Sequence, residues 1–133
     1  MIKKTVTYTD YNGVERTENF YFNMSKAEVM EMELSTAGGM AESIQKIVDA
    51  KDAPAIIRVF KELVLKAYGV KSDDGRRFKK VKPDGTLYAD EFKETEAYSQ
   101  IFMELATDAD KAAEFVNGIM PAELAQKAAL PHA

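Results

Sequence analysis

The chain has 133 residues, 46% of them hydrophobic and 30% charged, with a formal net charge of −4 and no cysteine. One domain of this length can bury a core. The missing thiols remove disulfides, cysteine nucleophiles and cysteine-bound zinc, which fits a reducing cytoplasm. The acidic balance argues against nucleic acid as the main partner, and no apolar run reaches the roughly 18 residues of a membrane span.

The first segment, residues 2 to 22, reads as a β-hairpin. Thr5, Val6, Thr7, Tyr8 and Thr9 form a β-branched and aromatic run, and Asn12-Gly13 is a two-residue type I′ turn signal. The basic start, MIKKTVTYTDYNG, lacks the apolar stretch of a secretory signal. Phe20-Tyr21-Phe22 ends the return strand and puts one ring on the face opposite the other two. A two-stranded ribbon is marginal alone, so it packs on helices or pairs with a strand of another molecule.

Ser25-Lys26-Ala27-Glu28 is a capping box, opening a helix to about Leu34. Met30 and Met32 stand about 200° apart on it, so one of the two faces away from the core. Ser35 to Gly39 breaks that helix, and a second is expected from about Met40 to Lys51. The glycine pair lacks the Lys-Ser/Thr of a phosphate loop.

Asp52 and Pro54 suit the start of the central helix. Ile56, Val59, Phe60, Leu63, Val64 and Ala67 share one face, which Ile57, Leu65 and Tyr68 widen, as in a core helix. Gly69 suits a left-handed helix end. A charged loop follows, with turns at Asp74-Gly75 and Pro83-Asp84-Gly85. Arg76 to Val81 alternates enough for a short strand, and Thr86-Leu87-Tyr88 would complete a second small hairpin. Asp90 caps a helix from Glu91 to Ala106 with Phe92, Tyr98, Ile101, Phe102 and Leu105 inward. Thr107 or Asp108 opens the last one, with Ala112, Phe115, Val116 and Ile119 inward. The expected fold is therefore α+β: an N-terminal hairpin packed on about five helices, with room for a second short hairpin in the basic loop. The expected domain is 1–121, with 122–133 a loosely ordered tail.

Charge is unevenly placed. Lys71 to Lys82 holds six basic residues against Asp73 and Asp74, while Asp84 to Glu123 holds ten acidic residues against Lys93 and Lys111. Such blocks pair within the fold or between copies. Arg76, Arg77, Phe78 and Lys79 are the candidates for polar recognition of an acidic protein surface. Met30 or Met32, with Phe20 or Phe22, are the candidates for apolar contact, because methionine adapts to varied partners. Asp73-Asp74 with Lys79-Lys80 matches a metal-dependent nuclease poorly, and the lone His132 has no triad partner. No catalytic, cofactor or metal residues are assigned.

The segments TYTDYNGVERTENFYFN, KAYGVKSDDGRRFKK and ETEAYSQIFMELATDADKAAEFVNGIMP, in that order, resemble the small tail assembly chaperones of siphophages, encoded between the tail tube and tape measure proteins. The resemblance spans roughly residues 1 to 121. It implies a non-enzymatic protein without cofactor. Its implied partners are the tape measure protein, which it keeps soluble, and the major tail tube protein, whose subunits it helps recruit. A homo-oligomer stays open, and neither nucleic acid nor membrane is expected. The resemblance further implies action in the host cytoplasm, absence from the mature virion, and in many members a longer form made by ribosomal frameshifting. The alternative is a small phage regulator or inhibitor that binds a host protein.

Overall fold

The computed structural model describes residues 1–35 and 53–119. The helix expected from Met40 to Lys51, the Asp52 cap, and the boundary at 121 with its tail lie outside them. The described chain runs β1 (Ile2–Thr9), β2 (Glu15–Phe22), α1 (Lys26–Ser35), α2 (Ala53–Ala67), β3 (Tyr68–Lys71), β4 (Phe78–Lys79), α3 (Tyr88–Phe92), α4 (Glu96–Thr107) and α5 (Ala109–Ile119). The α+β class holds, with an antiparallel N-terminal hairpin and five described helices.

The hairpin turn differs from the expected two-residue form. Gly13 alone takes positive φ, at 80°. Asp10 N donates to Val14 O at 2.8 Å, and Gly13 N to Asp10 O at 3.0 Å, so Tyr11-Asn12-Gly13 is a three-residue loop. The Asp10 carboxylate decides this. It accepts from Asn12 N and Val14 N, both at 2.9 Å, and pairs with Arg16. The Arg16 contact is foremost in holding the Asp10 carboxyl below the usual carboxylate range, ahead of the Val14 amide.

The sheet has four strands in the order β1-β2-β3-β4. β3 was not expected. Gly69 does not end α2 in a left-handed turn; the chain passes from Ala67 directly into a strand, where Gly69 pairs with Tyr21 and Tyr68 with Phe22. The reason for glycine is steric: a Cβ there would lie 2.6 Å from Phe78 Cε2. The second hairpin therefore joins β4 to β3, with Val70 opposite Lys79, and only a Val81–Leu87 bridge marks the expected later pairing.

The single helix expected from Glu91 to Ala106 is two. Asp90 Oδ2 accepts from Leu87 N at the start of α3, and Thr95 Oγ1 accepts from Tyr98 N to open α4. Asp108 caps α5 through Asp110 N and Lys111 N. The Ser25–Glu28 capping box is present in both directions, at 2.9 and 3.1 Å.

The core gathers the inner faces of these elements. Phe22 is fully buried, with ring centroids 5.3 Å from Phe115 and 5.8 Å from both Phe92 and Tyr68. Phe92 stacks on Tyr68 at 4.1 Å. Leu63, Val64 and Ala67 of α2, Ile101 and Leu105 of α4, and Val116 and Ile119 of α5 close around them.

Candidate partner-binding surface

The β3–β4 hairpin carries the basic segment, and its tip is fixed by Ser72 and Asp74. Ser72 is buried; its Oγ donates to Asp74 Oδ1 at 2.8 Å and accepts from Arg77 N at 3.0 Å. Asp74 Oδ1 also accepts from Arg76 N. That amide, followed by the Ser72 hydroxyl, keeps the Asp74 carboxyl below its ordinary range. Gly75 takes φ 73° at the apex. Asp74 Oδ1 is thus occupied in turn geometry. Among the described residues no three His, Cys, Asp or Glu gather where a metal ion would sit, and no helix is long and apolar enough to cross a membrane.

The six basic residues separate by position. Lys71 lies over the Tyr21 ring at 5.0 Å and Lys79 over Tyr88 at 5.9 Å. Lys80 turns inward: its Nζ donates to Asn23 O at 2.9 Å and pairs with Glu28. Burial pushes the Glu28 carboxyl up, but Lys80 and Ser25 outweigh it and the net shift is downward. Lys82 pairs with Glu91, a hydrogen bond that raises the Lys82 pKa. Only Arg76 and Arg77 stand exposed at the tip with no side-chain partner among the described residues. Phe78 is half-buried against Gly69 and below Lys80. Of the polar candidates, therefore, the two arginines present charge while Phe78 and Lys79 hold the strand that carries them.

Behind this hairpin lies a groove of about 480 Å³. Its floor is apolar, from Met24 and Met32, Leu65 and Tyr68, and Leu87 and Ala89. Glu28, Glu31, Lys66 and Lys80 supply charge at its walls. α1 forms one side. The two α1 methionines divide as their spacing requires: Met32 is 8% exposed and Met30 58%. Leu34, one turn from Met30, is also exposed, as are Val81 and Leu87 across the bridge beyond the basic tip. Phe20 and Phe22 are core side chains, at 8% and 0% exposure, and offer no surface in this fold.

The sequence reading missed the groove itself. Met24 and Leu87 come from segments outside the helices and strands, far along the chain from Leu65 and Tyr68, and no local pattern joins the four. The available signals were Met32, one of the two methionine candidates, and Leu87, an apolar residue inside a charged loop.

The family described as phage tail assembly chaperone matches residues 1–132 of the chain. No curated protein and no solved structure gives a match.

Proposed function

We propose, since the chain belongs to the phage tail assembly chaperone family, that it binds the tape measure protein of its phage, keeps it soluble, and helps bring tail tube subunits to it. The observation that carries this is the open groove floored by Met24 and Met32, with Leu87 exposed at its edge; Met30 and Leu34 are exposed on the other side of α1. A helical protein awaiting assembly displays apolar stripes, and a methionine-lined groove is the adaptable surface that accepts one. Arg76 and Arg77 add exposed guanidinium forks for carboxylates on the partner, since guanidinium pairs with them in bidentate fashion. The protein works as a binding module rather than a catalyst, in the host cytoplasm during assembly, and leaves before the virion is complete. A frameshifted longer form belongs to the same reading.

Co-expression with the long helical protein encoded next door tests it. The partner should become soluble only with this chain, co-purify with it, and lose affinity on Leu87→Asp, which sets a carboxylate in the groove. A partner that stays equally soluble alone, with capture of a host protein instead, would favour the regulator reading.

A further inference from the structure

We infer that β1 is a dimerisation edge, on which a second copy of this chain docks to make one continuous eight-stranded sheet. Among the described residues β1 is the outer strand of the sheet and pairs only with β2. It is eight residues long, without proline or bulge. Edges of this length and regularity are usually shortened, bulged or covered.

The ladder fixes which groups are open. Asp10 and Val14 are a hydrogen-bonded pair at 2.8 Å, and antiparallel pairs alternate. Ile2, Lys4, Val6 and Tyr8 therefore give their backbone groups to β2. The N–H and C=O of Lys3, Thr5, Thr7 and Thr9 point to the open edge, and those residues make no other backbone hydrogen bond among the described ones. Their side chains are exposed as well.

The occupant is a second copy because the strand is complementary to itself. Open groups at odd positions require odd-numbered residues opposite them. A two-fold axis at Val6 meets this condition, setting Thr5 opposite Thr7, and Lys3 opposite Thr9, of the other copy. It continues the polar ladder already present on that face, where Thr7 Oγ1 lies 2.9 Å from Thr17 Oγ1 and Thr5 Oγ1 2.7 Å from Asn19 Oδ1. It also sets Lys4 opposite Tyr8 and so keeps the two copies of Lys4 apart. A two-fold at Thr5 satisfies the same parity but brings them onto a diagonal, which like charges disfavour.

Sedimentation velocity across a dilution series tests the proposal on the full chain. The wild type should show a concentration-dependent monomer–dimer equilibrium. Thr7→Pro removes one N–H that β2 does not use, so it should abolish the dimer while keeping the circular dichroism spectrum of the monomer. If that variant fails to fold, a charge pair decides. Thr5→Glu with Thr7→Glu opposes like charges in the Val6 register and should weaken the dimer about tenfold or more. Thr5→Lys with Thr7→Glu opposes unlike charges and should restore it. A wild type that is monomeric throughout, a folded Thr7→Pro variant that still dimerises, or two charge pairs that behave alike would each overturn the inference.

Discussion

Gly69→Ala isolates one steric decision on which the basic hairpin depends. The added Cβ would stand 2.6 Å from Phe78 Cε2, 2.9 Å from Phe78 Cδ2 and 3.0 Å from the Lys79 carbonyl oxygen. Ordinary carbon contact is about 3.5 Å or more, so the ring must retreat by about 1 Å. Lys79 O is backbone and belongs to β4, so the strand shifts with it. Overpacking of this kind costs about 1–3 kcal/mol, against which alanine recovers less than about 1 kcal/mol from the unfolded chain. The net loss of about 1–2 kcal/mol should lower Tm by roughly 4–8 °C in a domain of this size. Urea titration of Gly69→Ala, Phe78→Ala and the double variant gives the decisive quantity. Removing the ring leaves only the Lys79 contact, so the double variant should be less destabilised than the two singles combined, by about 1 kcal/mol. Gly75→Ala serves as control: open space surrounds its Cβ, its φ of 73° costs about 1–2 kcal/mol, and Phe78 is not involved. Strict additivity of Gly69→Ala and Phe78→Ala would refute the steric account.

Phe22→Ala, which empties the ring cluster with Phe92, Phe115 and Tyr68, should cost about 3–5 kcal/mol by denaturant titration. Arg76→Glu with Arg77→Glu should leave Tm within about 1–2 °C, because neither side chain has a partner among the described residues, yet slow association with an acidic partner about tenfold by surface plasmon resonance. On acidification, Glu28 and Glu104 both have lowered folded pKa values. Their contribution is present above the unfolded value of about 4.3 and is lost as pH falls through the folded values. Each pair is partly exposed, so screening limits the Glu28 effect to less than about 1 kcal/mol; Lys80→Met should flatten that part of the Tm–pH curve between pH 5 and pH 3. Asp10→Ala, which frees the Asn12 and Val14 amides, should cost about 1 kcal/mol and raise hydrogen exchange in the 10–14 loop.

Where the fold was legible, a local rule and the tertiary structure agreed. The Ser25–Glu28 box, the Asp108 cap and the inward set Ala112, Phe115, Val116 and Ile119 each follow from spacing within one segment. The failures came where a competing contact overrode the signal that was read. Asn12-Gly13 promised a type I′ turn, but Asp10, two residues earlier, spends its carboxylate on the loop amides and selects the longer form. Gly69 looked like a helix end because glycine commonly serves there; here the close approach of Phe78, nine residues later, is what excludes a side chain. The long helix predicted across Lys93 and Glu94 divides because Thr95 offers a second cap, and periodicity alone ran through it.

The surface shows the same division. A count of six basic residues between Lys71 and Lys82 suggested one patch, yet only two of them face outward without a side-chain partner among the described residues. Lys80 is drawn in by Glu28 and the Asn23 carbonyl, more than fifty residues away in the chain, and Lys82 by Glu91. That pairing has a consequence for recognition. Lys80 ties β4 to α1 across the groove wall, so the hairpin bearing Arg76 and Arg77 and the helix bearing Met30 are held as one unit. Charge and apolar surface then meet a partner in fixed relation, and breaking the Lys80–Glu28 pair should weaken binding by releasing that relation as well as by changing the groove wall both residues form. Lys80→Met, which keeps the apolar stem but not the charge, separates this from simple loss of packing. Its affinity should fall while Tm at neutral pH changes by no more than about 3 °C. A variant that binds as tightly as the wild type would show that the two surfaces act independently.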